Sequence, residues 1–383
     1  MWSKIINPFF VFCSTWILVI YLISMKLTTN IHQLKIEGLA IIIVNLITSL
    51  LLFVCLLPVK GKKQTNGTEP TQGQLVIAYK MANRCFYVFL VLTFIDFLYS
   101  GGAPLIWLFT GSDKTYANLG IPSIRGLQYT MYLFSLTIFF YILKYYKFNK
   151  WKLKIGIMVL LPFIMLARGL MIYGIFQVFC IAMFGRKIKL KQFRNIAICI
   201  VILIMIFGVI GDIRGANANP LGFLVNENID NPLLKLPSGF TWIYIYITAN
   251  FNNILLTIGT FKPSYSFFNV FYNLIPGFLK QLFIKTDDLA SPLITDASLN
   301  VASFYAGYVT SFGIIGAILG GVILQFFSTY YYYKSLSYNI GYLVAYSIMF
   351  TCIILSVFFD AFLTVSTFCQ LILAVYLARK LKI

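Results

Sequence analysis

Three of the chain's seven arginines, Arg125, Arg168 and Arg214, are each followed directly by glycine, although glycine is only 26 of 383 residues. A guanidinium is a planar fork of donors that matches two phosphate oxygens, and a neighbouring glycine lets backbone approach a ligand closely. Three such groups converging on one membrane face would form a clamp for a diphosphate. Acids able to accept a proton from a hydroxyl stand nearby in sequence. Asp212 lies two residues before Arg214, and Asp287, Asp288 and Asp296 fall within ten residues of one another. The Asp287-Asp288 pair also has the look of a divalent-cation site, but no further ligands accompany it, and neither metal nor cofactor is expected. His32 is the single histidine and has only Glu37 near it, which leaves no histidine triad and no histidine metal site. The seven cysteines lie in or beside apolar runs without a CxxC pair and read as small core residues. No GxxxxGK[ST] motif is present.

These groups must be positioned by helices in a membrane. A composition of 60% hydrophobic and 11% charged residues excludes a soluble enzyme, a nucleic-acid-binding module and a disulfide scaffold. About 20 apolar residues cross about 30 Å of hydrocarbon as a helix. Ten runs of that kind occur, at roughly 5–25, 36–58, 86–110, 126–146, 153–167, 169–185, 195–211, 301–327, 339–358 and 361–378. The expected fold is an all-α polytopic membrane protein of about ten spans (10–12), with one large loop on the outer side. Residues 1–211 form an N-terminal bundle of about seven spans, 212–300 the loop, and 301–383 a C-terminal bundle of about three. The pair 153–185 is expected either to bend at Arg168 or to form two spans. The first run is too long for a signal peptide and reads as a retained span.

The net charge of +19 is read as topology. Basic loop residues resist translocation, and with the N-terminus cytoplasmic, twenty of the thirty basic residues fall on the inner side, including Lys60, Lys62, Lys63, the lysines from 144 to 154, the 186–194 cluster and Arg379-Lys380. The acids do the opposite. Only Glu69 falls in an inner loop, whereas eight of the eleven lie outside and Asp96 and Asp360 lie in or near spans, where a carboxyl should face the protein interior or a cavity. Both termini are then cytoplasmic, and cytoplasmic metal–nucleotide chemistry lacks the carboxylates it needs. Function is therefore sought outside, on a substrate that arrives already activated.

The outer stretch 212–300 opens with turn formers and continues with two apolar segments, 242–258 and 267–283, interrupted by aromatic residues and Asn. That pattern suits helices lying at the interface or re-entering the outer leaflet. Within and beside the stretch, Asn217, Tyr244, Tyr246, Asn250, Asn300 and Tyr305 join Arg125 as candidate substrate-binding residues. Arg168, Arg214, Asp287, Asp288 and Asp296 are the candidate catalytic residues. Gly316 and Gly320 have the small-xxx-small spacing of tight helix packing.

The segment TWIYIYITANFNNILLT at 241–257, followed by Asn300-x-x-Ser303-Phe304-Tyr305 leading into Ser311-Phe312-Gly313-Ile314-Ile315-Gly316, resembles the second half of the Wzy-type O-antigen polymerases, the oligosaccharide repeat unit polymerases of bacterial envelopes. The resemblance covers roughly 168–325, and Arg168-Gly169 and Arg214-Gly215 sit where that family tends to have them. It departs at Ser311, where the family often has Asp, so no acidic role is carried over. The resemblance implies a multi-pass, inverting transferase of the GT-C superfamily in the bacterial inner membrane. It would move a growing glycan from undecaprenyl pyrophosphate onto a sugar hydroxyl of a fresh lipid-linked unit at the periplasmic face. Arg168 and Arg214 would stabilise the leaving pyrophosphate, and either an outer-loop Asp assists the acceptor hydroxyl or the leaving group is good enough that orientation suffices. Partners would be the lipid-linked oligosaccharides, membrane lipid and a chain-length regulator protein, with no nucleic acid. The alternatives are an O-antigen ligase, which usually leans on an outer-loop histidine that 212–300 lacks, and a flippase or other transporter, which would show pseudo-repeats and broken spans.

Overall fold

A computed structural model of the chain describes residues 6–29, 34–55, 70–114, 118–121, 124–145, 150–184, 222–227, 230–277, 279–280, 291–294 and 302–381, with isolated residues between 194 and 212. Among these the structure is helical. The only extended pairing is a single antiparallel bridge between Thr28 and Val225. Helix α1 (Pro8–Ser24) starts on a proline, with the Asn7 side chain accepting from Phe9 N at 2.8 Å, which satisfies a terminal donor that has no partner inside the helix. Helix α2 is Ile36–Cys55. Helix α3 (Gln72–Ser100) opens on a Thr71/Gln74 capping box and ends where Gly101 takes the left-handed conformation. The short α4 (Pro104–Thr110) precedes α5 (Ile124–Tyr145), α6 (Lys150–Ile164) and α7 (Arg168–Met183). After these come α8 (Ser238–Thr260), α9 (Phe267–Phe271), α10 (Ala306–Ser335), α11 (Ile340–Leu355) and α12 (Val365–Lys380).

Four stretches, Ile36–Cys55, Gln72–Trp107, Ile124–Lys144 and Ala306–Ser335, are long and apolar enough to cross a bilayer, and α1, α7 and α11 are shorter apolar helices. The chain is thus a helical membrane protein. The expected run 153–185 resolves into two helices, with Leu166 at a positive φ of 51° in the three-residue turn just before Arg168. The expected span 195–211 lies mostly outside the described residues.

Nearly every residue of α11 is buried, and helices from both ends of the chain pack on it: α1 and α7 from the first half, α10 and α12 from the second. The two bundles expected from the sequence therefore share one apolar core, running from Ile6 to Leu381. Some polar side chains inside it are paired across helices, which offsets the cost of an unpaired group in lipid. Gln177 of α7 and Gln370 of α12 exchange amide bonds at 3.0 and 2.7 Å, and Ser49 of α2 donates to Gln325 of α10 at 3.0 Å.

Helix α10 is broken. Gly313 has φ 65°, ψ −152°, a conformation open to glycine. The segment before the break turns back on the segment after it, so that a Cβ on Gly316 would meet the Tyr308 carbonyl oxygen at 2.7 Å and one on Gly320 would meet the Tyr308 ring at 2.6 Å. The Gly316/Gly320 pair thus packs tightly, as its spacing implied, but against its own helix. Two carbonyls near the break turn outward to the chain that follows α8: Ser264 N donates to Thr310 O at 2.9 Å and Tyr265 N to Ser311 O at 2.8 Å.

Candidate functional site

Helices α5, α7 and α12 run in the same direction. At one end Lys144 of α5 donates to Ile181 O and Phe184 O, the last carbonyls of α7, at 2.9 and 3.0 Å. At the other, Thr130 of α5 donates to Ser366 O at 3.1 Å, and Gly126 lies so close to Val365 that a Cβ there would meet Val365 at 2.9 Å. The N-termini of all three helices therefore gather at one end of the molecule. Arg125 lies in the first turn of α5 and Arg168 is the first residue of α7. The structure thus brings these two sequence-predicted arginines to the same end, which also carries the positive ends of three helix dipoles.

Their surroundings differ. Arg125 donates to Leu119 O and faces the charge of Asp96 on α3. Asp96 is buried, accepts from Ile121 N at 3.1 Å and is bonded by Gln128, whose amide also donates to Thr93 at 3.0 Å. A Cβ on Gly120 would fall 2.7 Å from the Asp96 carboxyl carbon, so glycine is what lets the 118–121 strand of chain close over it. Arg125 is here a residue that fastens a loop. Arg168 is half-buried and follows a tight turn in which its N–H donates to Leu166 O at 3.0 Å.

A second carboxyl stands beside α7 and α12, in the loop joining α11 to α12. Asp360 accepts from Phe362 N at 2.8 Å and Leu363 N at 3.1 Å and takes a hydrogen bond from the Tyr308 hydroxyl. Tyr173 of α7, Cys352 of α11 and the Phe359 ring, 6.2 Å from that of Tyr173, complete the surroundings. Burial pushes the Asp360 carboxyl up to about 7, against the opposing pull of the two backbone N–H groups and Tyr308. A carboxyl poised near neutrality can take up and return a proton at working pH. The sequence marks Asp360 only as an acid that should face the protein interior or a cavity. Its partner Tyr308 was invisible because the fold-back at Gly313, not helix periodicity, delivers that hydroxyl.

The remaining predicted residues lie in a separate group around α1 and α8. The Tyr244 hydroxyl donates to Leu22 O at 2.9 Å and accepts from Leu27 N at 3.0 Å, tying α8 to the end of α1. Asn250 is buried and donates to Tyr246 O within α8, while the Tyr246 ring lies 5.7 Å from Trp242. Trp242 and Ser238 both donate to Asp212, which anchors the start of α8. Tyr305 is fully buried, its ring 5.2 Å from Trp16, which in turn sits 5.6 Å from Phe251. Tyr244, Asn250 and Tyr305 are in this state packing and anchoring residues. The two groups meet through α10, since the ring of Phe304, beside Tyr305, lies 4.9 Å from that of Tyr308. Arg214, Asn217, Asp287, Asp288, Asp296 and Asn300 lie outside the described residues.

Among the described residues no group of His, Cys, Asp and Glu has the arrangement of a metal site. Comparison of the chain with protein-family models, with curated proteins and with solved structures finds no match in any of the three.

Proposed function

We propose that this protein is a membrane glycosyltransferase that polymerises lipid-linked repeat units, moving a growing glycan from a polyprenyl pyrophosphate onto a sugar hydroxyl of the next unit on the outer face of a bacterial inner membrane. The observation that carries this reading is the gathering of Arg168, a carboxyl poised near neutrality and three helix N-termini at one end of the bundle. In the reaction the bond between the anomeric carbon and the pyrophosphate oxygen breaks, and the acceptor oxygen bonds to that carbon from the opposite side. Negative charge develops on the leaving pyrophosphate. Arg168 and Arg214 would hold it there, where stabilisation counts most because it grows in the transition state. Asp360, or an Asp of the 287–296 segment, would accept the acceptor's proton. Arg125 positions the loop beside them. The fold would be of the GT-C type with about ten spans and both termini cytoplasmic.

Deleting the gene and resolving the lipopolysaccharide on a gel tests the reading. A single repeat unit on the core is expected, and absence of any repeat would instead mean a ligase or a flippase. With purified protein and a lipid-linked repeat unit, EDTA should leave polymer formation nearly intact; loss of activity that magnesium or manganese restores would make Asp287 and Asp288 ligands.

One observation favours a second reading. The break of α10 at Gly313, with two carbonyls diverted from the helix, is the kind of discontinuous span on which transporters build their sites. A flippase reading makes the same gel show no repeat units at all.

A further inference from the structure

Helices α10 and α12 both pack on α11 but scarcely on each other, and between them lies a groove of about 450 Å³ on the outside of the bundle. One wall is Phe327 and Tyr331 of α10, the other Phe368, Ile372 and Tyr376 of α12. The groove is closed at one end by Phe362, whose ring lies 5.9 Å from that of Phe327. At its other end stands Arg379, the only charged side chain among the described residues of the lining, with its charge reaching Tyr331. Two more cations flank that end: Lys380 lies over the Tyr376 ring at 5.9 Å and Lys334 over the Tyr330 ring at 5.6 Å. No carboxylate of the described residues answers these three charges, and Arg379, Lys380 and Lys334 are exposed.

We infer that this groove is a binding site for an anionic glycerophospholipid, with one acyl chain lying between α10 and α12 and the headgroup phosphate on Arg379. An apolar trough that is blind at one end and cationic at the other fits an amphiphile whose head is an anion. Its length agrees. From Phe368 to Arg379 a helix rises about 16 Å, and one leaflet is half of the roughly 30 Å hydrocarbon thickness. A guanidinium binds a phosphodiester through two parallel hydrogen bonds, and basic pockets between spans near a membrane surface are a recurrent way of holding anionic lipid. The basic end lies at the C-termini of α10 and α12, opposite to the end that holds Arg168 and Asp360, which only the blind end at Phe362 approaches, so the headgroup site does not depend on the proposed transfer reaction.

Native mass spectrometry of the purified protein with phosphatidylglycerol and with phosphatidylcholine of identical chains tests the inference. Phosphatidylglycerol adducts should survive activation that strips phosphatidylcholine. Arg379→Gln should weaken phosphatidylglycerol retention by roughly fivefold, the worth of one basic residue at an anionic surface, while Arg84→Gln, a basic exposed residue of α3, should leave it unchanged. Ile372→Trp, which fills the trough without touching the cations, should displace the lipid too. Equal retention of the two lipids, or no effect of either groove variant in protein that still melts like the wild type, overturns the site. So does displacement of phosphatidylglycerol by equimolar polyprenyl diphosphate, which would give the groove to the lipid carrier.

Discussion

Asp96 and Asp360 stand at the same end of the bundle, both within the reach of elements that pack on the first turns of α5, yet they are furnished in opposite ways. Around Asp96 there are a backbone N–H, an amide and the positive charge of Arg125, and a glycine has been placed where any side chain would strike the carboxyl. Around Asp360 the partners are two backbone N–H groups and a tyrosine hydroxyl, all neutral, with a second tyrosine and a thiol beyond. The first arrangement compensates a charge and fixes a loop. The second tolerates a carboxyl that is charged or neutral, which is what proton transfer requires. On the proposed reading the arginines divide in the same way, Arg125 serving the structural corner and Arg168 the reactive one.

The largest expected effect falls on the reactive corner. Arg168→Ala should reduce long-chain polymer by roughly a hundredfold or more, the usual loss when a group that stabilises developing negative charge is removed. Arg168→Lys should rescue poorly, because an ammonium cannot bind two oxygens in parallel. Polymer length on gels, at protein levels checked by immunoblot, measures it. Full-length polymer from the alanine variant would place the clamp elsewhere.

Next in size is the structural corner. Asp96→Ala strips the acceptor from Ile121 N and leaves Arg125 without its counter-charge, a loss of about 1–3 kcal/mol for the orphaned groups. The purified variant should melt at lower temperature, and Arg125→Ala should fall with it, the two losses together being less than their sum because they break one network. Additive losses would show that Arg125 and Asp96 act independently. An Arg125→Ala variant that melts normally but makes no polymer would return Arg125 to the clamp.

How much of this was legible beforehand follows from the kind of interaction involved. The membrane class and its long apolar helices were readable because hydrophobic runs are local signals; for 153–185 the sequence left a bend at Arg168 and two plain spans open. The packing role of Gly316 and Gly320 was readable too, although a spacing rule alone could not say that their partner is Tyr308 of the same helix. The Asp96–Arg125 association joins residues on different helices, and the Tyr308–Asp360 contact depends on a backbone reversal at one glycine. Neither leaves a periodic trace. The expectation for Tyr244, Asn250 and Tyr305 rested on residue type alone, since amides and tyrosines in an apolar run look like ligand groups; here Tyr244 ties α8 to the end of α1, Tyr305 packs on Trp16 of α1, and the Asn250 amide bonds within α8.

The smallest effect is the one that separates the two aspartates most sharply. With its carboxyl near 7, Asp360 is mostly protonated at pH 6 and mostly ionised at pH 8. If it accepts the proton of the acceptor hydroxyl, activity should rise with pH through about 7 and level off above it. Asp360→Asn, which keeps the bonds from Phe362 and Leu363, should lower activity by about tenfold, less than the roughly hundredfold or more usual for a general base because a pyrophosphate is already a good leaving group, and flatten that rise. Stability should move the other way. An unfolded carboxyl titrates near 3.9, so between about 4 and 7 the folded protein binds a proton that the unfolded chain has released. The contribution of Asp360 to stability then declines as pH rises across that window and is constant above it. The Asn variant, which cannot ionise, should lack this decline. A wild type and an Asn variant whose activity and melting temperature follow the same pH course would make Asp360 a second structural carboxyl like Asp96, and the base would have to come from the 287–296 segment.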